Sequence, residues 1–326
     1  MRLITALAVL ALSLSACGGG PATSPTTSNA PSAGAGSIVA QVASYELVAE
    51  RPGRLLVALL AADNRWLSFG SVDMDFTYMG DRTHSALPGV GVATATAEFL
   101  PIPGTPEGGG DPPTLTNPAD GRGVYAVEPI TFPAAGFWQV TAHGAIGDGT
   151  SFTADAAFEV LASPSVVGMS DEAPRSDNAV IGDAGVAPVS LDSRAADGEP
   201  IPDPELHATS IADAIAAGHP ALVVFSTPVY CVSRFCGPVT DLVSALSRKY
   251  ANRAAFIHVE IYRDFQANQL NDTVRDWLQA PSGDLREPWV YLIGADGTIL
   301  ESWDTMVTRG ELEARISNDL KGVHTP

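Results

Sequence analysis

The sequence predicts a chain in two parts, an all-β half followed by an α/β half, and three observations carry that expectation. Residues 38–161 break into short apolar or alternating runs separated by Gly, Pro, Asn and Asp, the pattern of strands joined by turns. From His207 onward the period changes, and runs of helical spacing alternate with short β-branched runs. The 326 residues exceed one ordinary domain, and a hydrophobic fraction of 45% with 25 prolines and 31 glycines fits folded domains joined by turn-rich connections.

Charge narrows the function. Lys and Arg number 18 against 37 Asp and Glu, a formal net charge of -19, so the surface repels a phosphate backbone and nucleic acid is excluded as a general partner. Anionic lipid headgroups are repelled in the same way, and membrane attachment then needs a dedicated anchor.

The N-terminus supplies a candidate. Arg2 precedes an apolar stretch from Leu3 to Leu14, too short to span a bilayer but suited to a signal-peptide core. The junction Leu14-Ser15-Ala16-Cys17 resembles the bacterial lipobox. That resemblance implies that residues 1–16 are a lipoprotein signal peptide and that Cys17 becomes the lipidated N-terminal residue. The protein would then sit on the extracytoplasmic face of the bacterial cell membrane. Residues 17–37 are rich in Gly, Ala, Pro, Ser and Thr and read as a flexible tether with an end-to-end distance of roughly 25 Å.

In the β half, strands are expected at Ile38–Val48, Arg54–Ala61, Val72–Tyr78, Gly91–Leu100, Phe137–His143 and Ser151–Phe158, the last two joined by Gly147-Asp148-Gly149. Their number and spacing suggest an immunoglobulin-like β-sandwich over residues 38–161. The Gly- and Pro-rich stretch Pro101–Arg122 is incompatible with a central strand. This half holds no cysteine; Met74, Met79, His84 and His143 offer soft and imidazole donors for copper but form no tight motif. Residues 162–206, rich in Asp, Pro, Ser and Ala, read as a linker or a segment packed along the domain surfaces.

In the α/β half, Ser210 with Asp213 opens a short helix that Gly218 ends. Ala221–Phe225 is a buried strand, Val239–Tyr250 a helix, Ala255–Ile261 a strand and Thr273–Leu278 a shorter helix. Trp289–Ile293 and Thr298–Trp303 form a hairpin about Ala295-Asp296-Gly297, and Thr308 with Glu311 caps a last helix to about Leu320.

The residues between the first of these strands and its helix are Tyr230-Cys231-Val232-Ser233-Arg234-Phe235-Cys236-Gly237-Pro238. With Pro288 ahead of the hairpin, they make residues 207–326 resemble a thioredoxin-fold domain, and the cysteine run is similar to a group of bacterial thioredoxin-like lipoproteins. The resemblance implies that Cys231 and Cys236 are the redox-active pair and that Pro288 is a cis-proline facing them. Tyr230 stands where the family usually carries tryptophan. Two positions depart from the family pattern: the spacing is Cys-x4-Cys, and Val224 replaces the acid the family buries on the central strand. Glu260 on the adjacent strand is a candidate substitute for that acid.

Residues five apart on a helix lie roughly 8.5 Å apart, beyond disulfide reach, so both cysteines cannot be helical. Pro238 favours the first helical position, with Gly237 as cap, which puts the helix start just after Cys236 and Cys231 in a loop that folds back. With Cys17 lipidated, only Cys231 and Cys236 remain in an oxidising compartment, and a disulfide is the default state. A thiolate at the helix N-terminus is stabilised by unpaired N–H groups, and Arg234 adds positive charge. Which cysteine attacks is open, with loop exposure favouring Cys231.

The expected function is a membrane-anchored extracytoplasmic thiol-disulfide oxidoreductase acting on protein thiols or disulfides, with a membrane or periplasmic redox partner and no cofactor. One alternative is a non-catalytic binding or scaffold lipoprotein with a structural disulfide. Another is copper handling, with the two thiolates and a histidine such as His258 as ligands.

Overall fold

A computed structural model describes residues 37–85, 91–106, 109–231 and 233–320. The expected signal peptide, Cys17, the expected tether up to residue 36 and Val232 lie outside the described residues. Among the described residues, no helix is long and apolar enough to cross a membrane.

The first half is built from strands β1 (Ile38–Val42), β2 (Gly53–Ala61), β3 (Trp66–Ser68), β4 (Ser71–Gly80), β5 (Gly91–Pro101), β6 (Thr114–Thr116), β7 (Gly123–Ile130), β8 (Gly136–Ala145) and β9 (Ser151–Val160). They form one antiparallel sheet in the order β6-β3-β2-β7-β5-β4-β8-β9, with β1 also paired to β2. Strands from both ends of that order feed one core: Leu55, Val57 and Leu59 of β2 meet Phe76, Trp138 and Phe158. Trp138 is fully buried and donates its indole N–H to Ala134 O at 3.0 Å, so its polar edge is satisfied inside the core.

Strand β7 was not expected, because Pro129 and the glycine-rich stretch before it mask its pattern. Gly123, at its start, has no room for a side chain: a Cβ there would stand 2.2 Å from Leu100 O on the paired strand. Beyond Pro101, the last residue of β5, the described residues up to Arg122 contribute β6, a three-residue edge strand on β3.

Residues 162–206 lie along the second half. Asp171 O accepts from Ile299 N at 2.9 Å, and helix α1 (Pro188–Leu191) leads into two 3-10 turns, Ser193–Gly198 and Pro204–His207. The second half continues with α2 (Ile211–Ala216), β10 (Ala221–Ser226), α3 (Cys236–Tyr250), β11 (Ala255–Glu260), β12 (Tyr262–Asp264), β13 (Gln269–Leu270), α4 (Asp272–Leu278), β14 (Trp289–Ile293), β15 (Ile299–Asp304) and α5 (Arg309–Asp319). Four strands form a sheet in the order β11-β10-β14-β15; β10 and β11 are parallel and the other neighbours antiparallel. Ser210 accepts from Asp213 N, and Thr308 and Glu311 close a reciprocal capping box at the head of α5.

Alternation along β10 sends Val223 and Phe225 to a core with α2 and α4, while Leu222 and Val224 face Val239 and Val243 of α3 and Leu312 of α5. Leu56, Ala58 and Val124 join that second core from the β half. Strand β2 is therefore apolar on both sides, which explains its unbroken reading GRLLVALLA. Arg54 adds a polar tie, donating to Met306 O at 2.8 Å and pairing with Glu128 at 3.2 Å and Glu311 at 2.9 Å. Substituting Leu56→Ala should cost about 2–5 kcal/mol. Denaturant unfolding followed by Trp fluorescence and by far-UV circular dichroism is expected to shift as one coincident transition; loss of coincidence would show that the two halves are energetically separate.

Candidate functional site

Strand β10 is buried at all six positions and delivers the chain to a turn at Thr227–Tyr230, closed by Cys231 N donating to Thr227 O at 3.1 Å. Arg234 adopts a left-handed backbone with φ of 65° and reverses the loop, and Phe235 is buried as the residue ahead of α3. The helix opens at Cys236 itself, two residues before the expected start at Pro238. The Cα atoms of Cys231 and Cys236 are 6.1 Å apart and the sulfurs are bonded.

The two sulfurs differ in access. Cys236 is 0% exposed, whereas Cys231 is partly exposed, with Ser233 Oγ 3.2 Å from its sulfur. Cys236 sits on the first turn of α3, where backbone N–H groups lack helical partners and favour a negative sulfur. Its carbonyl accepts from Thr240 Oγ1 at 2.9 Å, and Thr240 lies 2.6 Å from Ser226 Oγ, which fixes the helix to the end of β10.

Glu287, a residue not singled out by sequence, completes the site. Its carboxylate and the two sulfurs offer atoms within 4.8 Å of one another, and Glu287 Oε2 accepts from Thr227 N at 2.8 Å. Burial, reinforced by the nearby Glu260 charge, pushes its pKa up to about 8, so the group carries a proton at neutral pH. Glu260 is itself buried and raised by desolvation, but its oxygens accept from Ser193 N at 2.7 Å and Ile261 N at 2.9 Å.

The β half also reaches this site. The Tyr45 hydroxyl donates to Glu287 O, Tyr45 N donates to Asp304, Thr305 Oγ1 donates to Ala43 O, and Arg286 Nη1 donates to Tyr45 O at 3.1 Å. Burial holds the Tyr45 phenol near a pKa of about 12, so it serves as a donor throughout the physiological range.

Among the other sequence candidates, Pro288 follows Glu287 through a cis bond and accepts from Thr305 N at 3.0 Å. Tyr230 stacks face to face on Phe265 with ring centroids 3.9 Å apart, and Arg234 is exposed. Gly237 and Pro238 lie half-buried on the first turn of α3. His258 groups with Asp192 and His207 and not with the cysteines. Met74 is buried in the β core, Met79 and His84 are exposed, and His143 faces Asp75 at 3.1 Å. Glu287 and Tyr45 escaped sequence reading because burial of a lone acid or tyrosine leaves no periodic signal; the only hint for Glu287 was its place before Pro288.

No family model matches the chain, and no curated protein matches it. Among solved structures it aligns with the crystal structure of BslA, a bacterial hydrophobin, at 17% identity over 38% of this chain and 92% of that chain, with a TM-score of 0.22. A likeness at that score bears on neither fold nor function.

Proposed function

We propose that the protein is a thioredoxin-like thiol-disulfide oxidoreductase acting on protein thiols, held on the extracytoplasmic face of the membrane through lipidated Cys17. The observation that carries this reading is a partly exposed sulfur bonded to a fully buried one at the head of α3, with the Glu287 carboxyl beside both. The order β11-β10-β14-β15, with the cysteines between β10 and α3 and Pro288 before β14, supports the thioredoxin-like assignment. An immunoglobulin-like character of the β half is part of the same proposal and rests on its antiparallel strands.

In the oxidising direction, a partner thiolate attacks Cys231 Sγ and breaks the bond to Cys236, whose sulfur leaves as a thiolate. Glu287, protonated at pH 7, gives Cys236 its proton and is reprotonated from solvent. A second partner thiolate then attacks the partner sulfur of the mixed disulfide and expels Cys231, which takes up the second proton. Two electrons pass from partner to protein, and the partner's two thiols become one disulfide. Running the same steps backward reduces a partner disulfide.

Redox titration with thiol alkylation tests the assignment. A Cys231–Cys236 couple that equilibrates above about -300 mV is expected; a pair still oxidised below that range behaves as a structural disulfide and would sink the reading.

A further inference from the structure

We propose that Asp192, His207 and His258 form a binding site for a divalent transition-metal cation of the zinc class, separate from the cysteine pair. The three side chains come from different elements: Asp192 from the junction of α1 with the first 3-10 turn, His207 from the end of the second, and His258 from β11. All three side chains are 0% exposed, and each offers an atom within 4.8 Å of the others.

The spacing suits a metal better than a hydrogen-bond network. Asp192 Oδ2 stands 3.5 Å from His207 Nε2 and 3.4 Å from His258 Nδ1. Ligands of a tetrahedral zinc at 2.0–2.2 Å are about 3.4 Å apart, whereas N–H···O hydrogen bonds cluster near about 2.9 Å. Consistently, neither ring nitrogen of His207 and not Nδ1 of His258 has a hydrogen-bond partner among the described residues, a costly state for buried imidazoles.

The surrounding groups orient the ligands as they are oriented at metal centres. His258 Nε2 lies 3.1 Å from Ser226 O, so its N–H is directed to a backbone carbonyl and Nδ1 is turned toward Asp192. The other oxygen of Asp192 accepts from Arg194 N at 2.9 Å and Arg194 Nε at 3.0 Å, and Oδ2 itself accepts from Arg194 Nη2 at 2.8 Å, so a metal would share that oxygen with the guanidinium. Around the cluster, two guanidinium groups, Arg194 and Arg248, face four carboxylates, Asp192, Asp203, Glu205 and Asp241.

Two imidazoles and one carboxylate are borderline to hard donors, which favours zinc and cobalt over the soft Cu(I) expected of thiolates. Three protein ligands leave a fourth position for water; the nearby cavity of about 160 Å³ is lined by His258 and Glu260 but by neither Asp192 nor His207. A site this buried is filled as the chain folds, so its metal contributes to stability.

The test uses the full chain, unfolded and refolded with Zn²⁺ or with Co²⁺ alone, desalted and measured for metal content and absorption. One equivalent per chain is expected. The cobalt form should show tetrahedral d–d bands without thiolate-to-cobalt charge transfer, and the metal should persist in the Cys231→Ser, Cys236→Ser double variant. His207→Gln and His258→Gln should each lower affinity by on the order of 10²-fold or more. Folded wild-type protein that retains no metal overturns the proposal. So does a charge-transfer band that places the metal on the cysteines, or undiminished binding by the folded His207→Gln variant.

Discussion

Cys236→Ser is expected to abolish dithiol oxidation, since no internal disulfide can form, and to accumulate mixed disulfides when the Cys231 thiolate attacks a partner disulfide. The partly exposed Cys231 sulfur remains open to a partner, but without Cys236 nothing inside the protein resolves the adduct. Cys231→Ser should abolish turnover and trap almost nothing, because Cys236 is 0% exposed. Non-reducing electrophoresis and mass spectrometry of adducts captured from cells separate the two variants. Abundant adducts with Cys231→Ser and few with Cys236→Ser would reverse the assigned roles. Unfolding is not expected to confuse the comparison: closing a loop with a sequence separation of 5 is worth about 2 kcal/mol by chain entropy, small beside three apolar cores.

Glu287→Gln is expected to slow opening of the disulfide by on the order of 10²-fold at pH 6–7, with the deficit shrinking above about pH 8. Glutamine keeps an acceptor for the Thr227 N–H and loses the proton that the departing Cys236 sulfur needs. Because burial raises the Glu287 pKa to about 8, the wild-type group is a donor below that pH and a carboxylate above it, where the two proteins converge. Stopped-flow reduction by a small dithiol across pH 5–9 measures this; parallel profiles would remove Glu287 from the reaction. Once the sulfurs are reduced, thiolate and carboxylate interact at short range, and the titration belongs to the group rather than to one residue.

Stability carries the same signature. The folded pKa of Glu287 lies above its unfolded value of 4.5, and that of Asp304, raised by burial to about 6, lies above 3.8. In both cases the folded state binds the extra proton, so their stabilising contribution is complete below the unfolded pKa and is lost as pH rises through the folded one. The wild-type stability should decline between about pH 5 and pH 8, less steeply in Glu287→Gln.

The elements of the second half were legible because each had a local signal. β10 is an unbroken apolar run, α3 repeats Val239, Leu242, Val243 and Leu246, and the Thr308–Glu311 pair closes its capping box as its spacing implied. The cysteine pair was readable for a similar reason, its spacing forcing one member off the helix. What was not legible depends on long-range burial. Nothing local tells Glu287 from an exposed acid such as Asp284, and Asp192 in a Pro- and Asp-rich stretch reads as linker until His207 and His258 are packed against it. Strand β7 was hidden by Pro129 and Gly123, whose lack of a side chain is what lets β5 approach.

The two-sided burial of β2 sets a limit on modularity. The sequence offers an obvious cut in residues 162–206, yet the physical seam between the halves runs along β2, where Leu55 and Leu56 belong to different cores. A disulfide-bearing half transplanted without β2 would carry away an apolar face built around Leu222, Val224 and Trp303 with part of its lining missing. Shuffling or grafting therefore has to move this strand with the disulfide-bearing half or supply a substitute for its outer face. Any β half recruited as a replacement inherits the same geometric obligation.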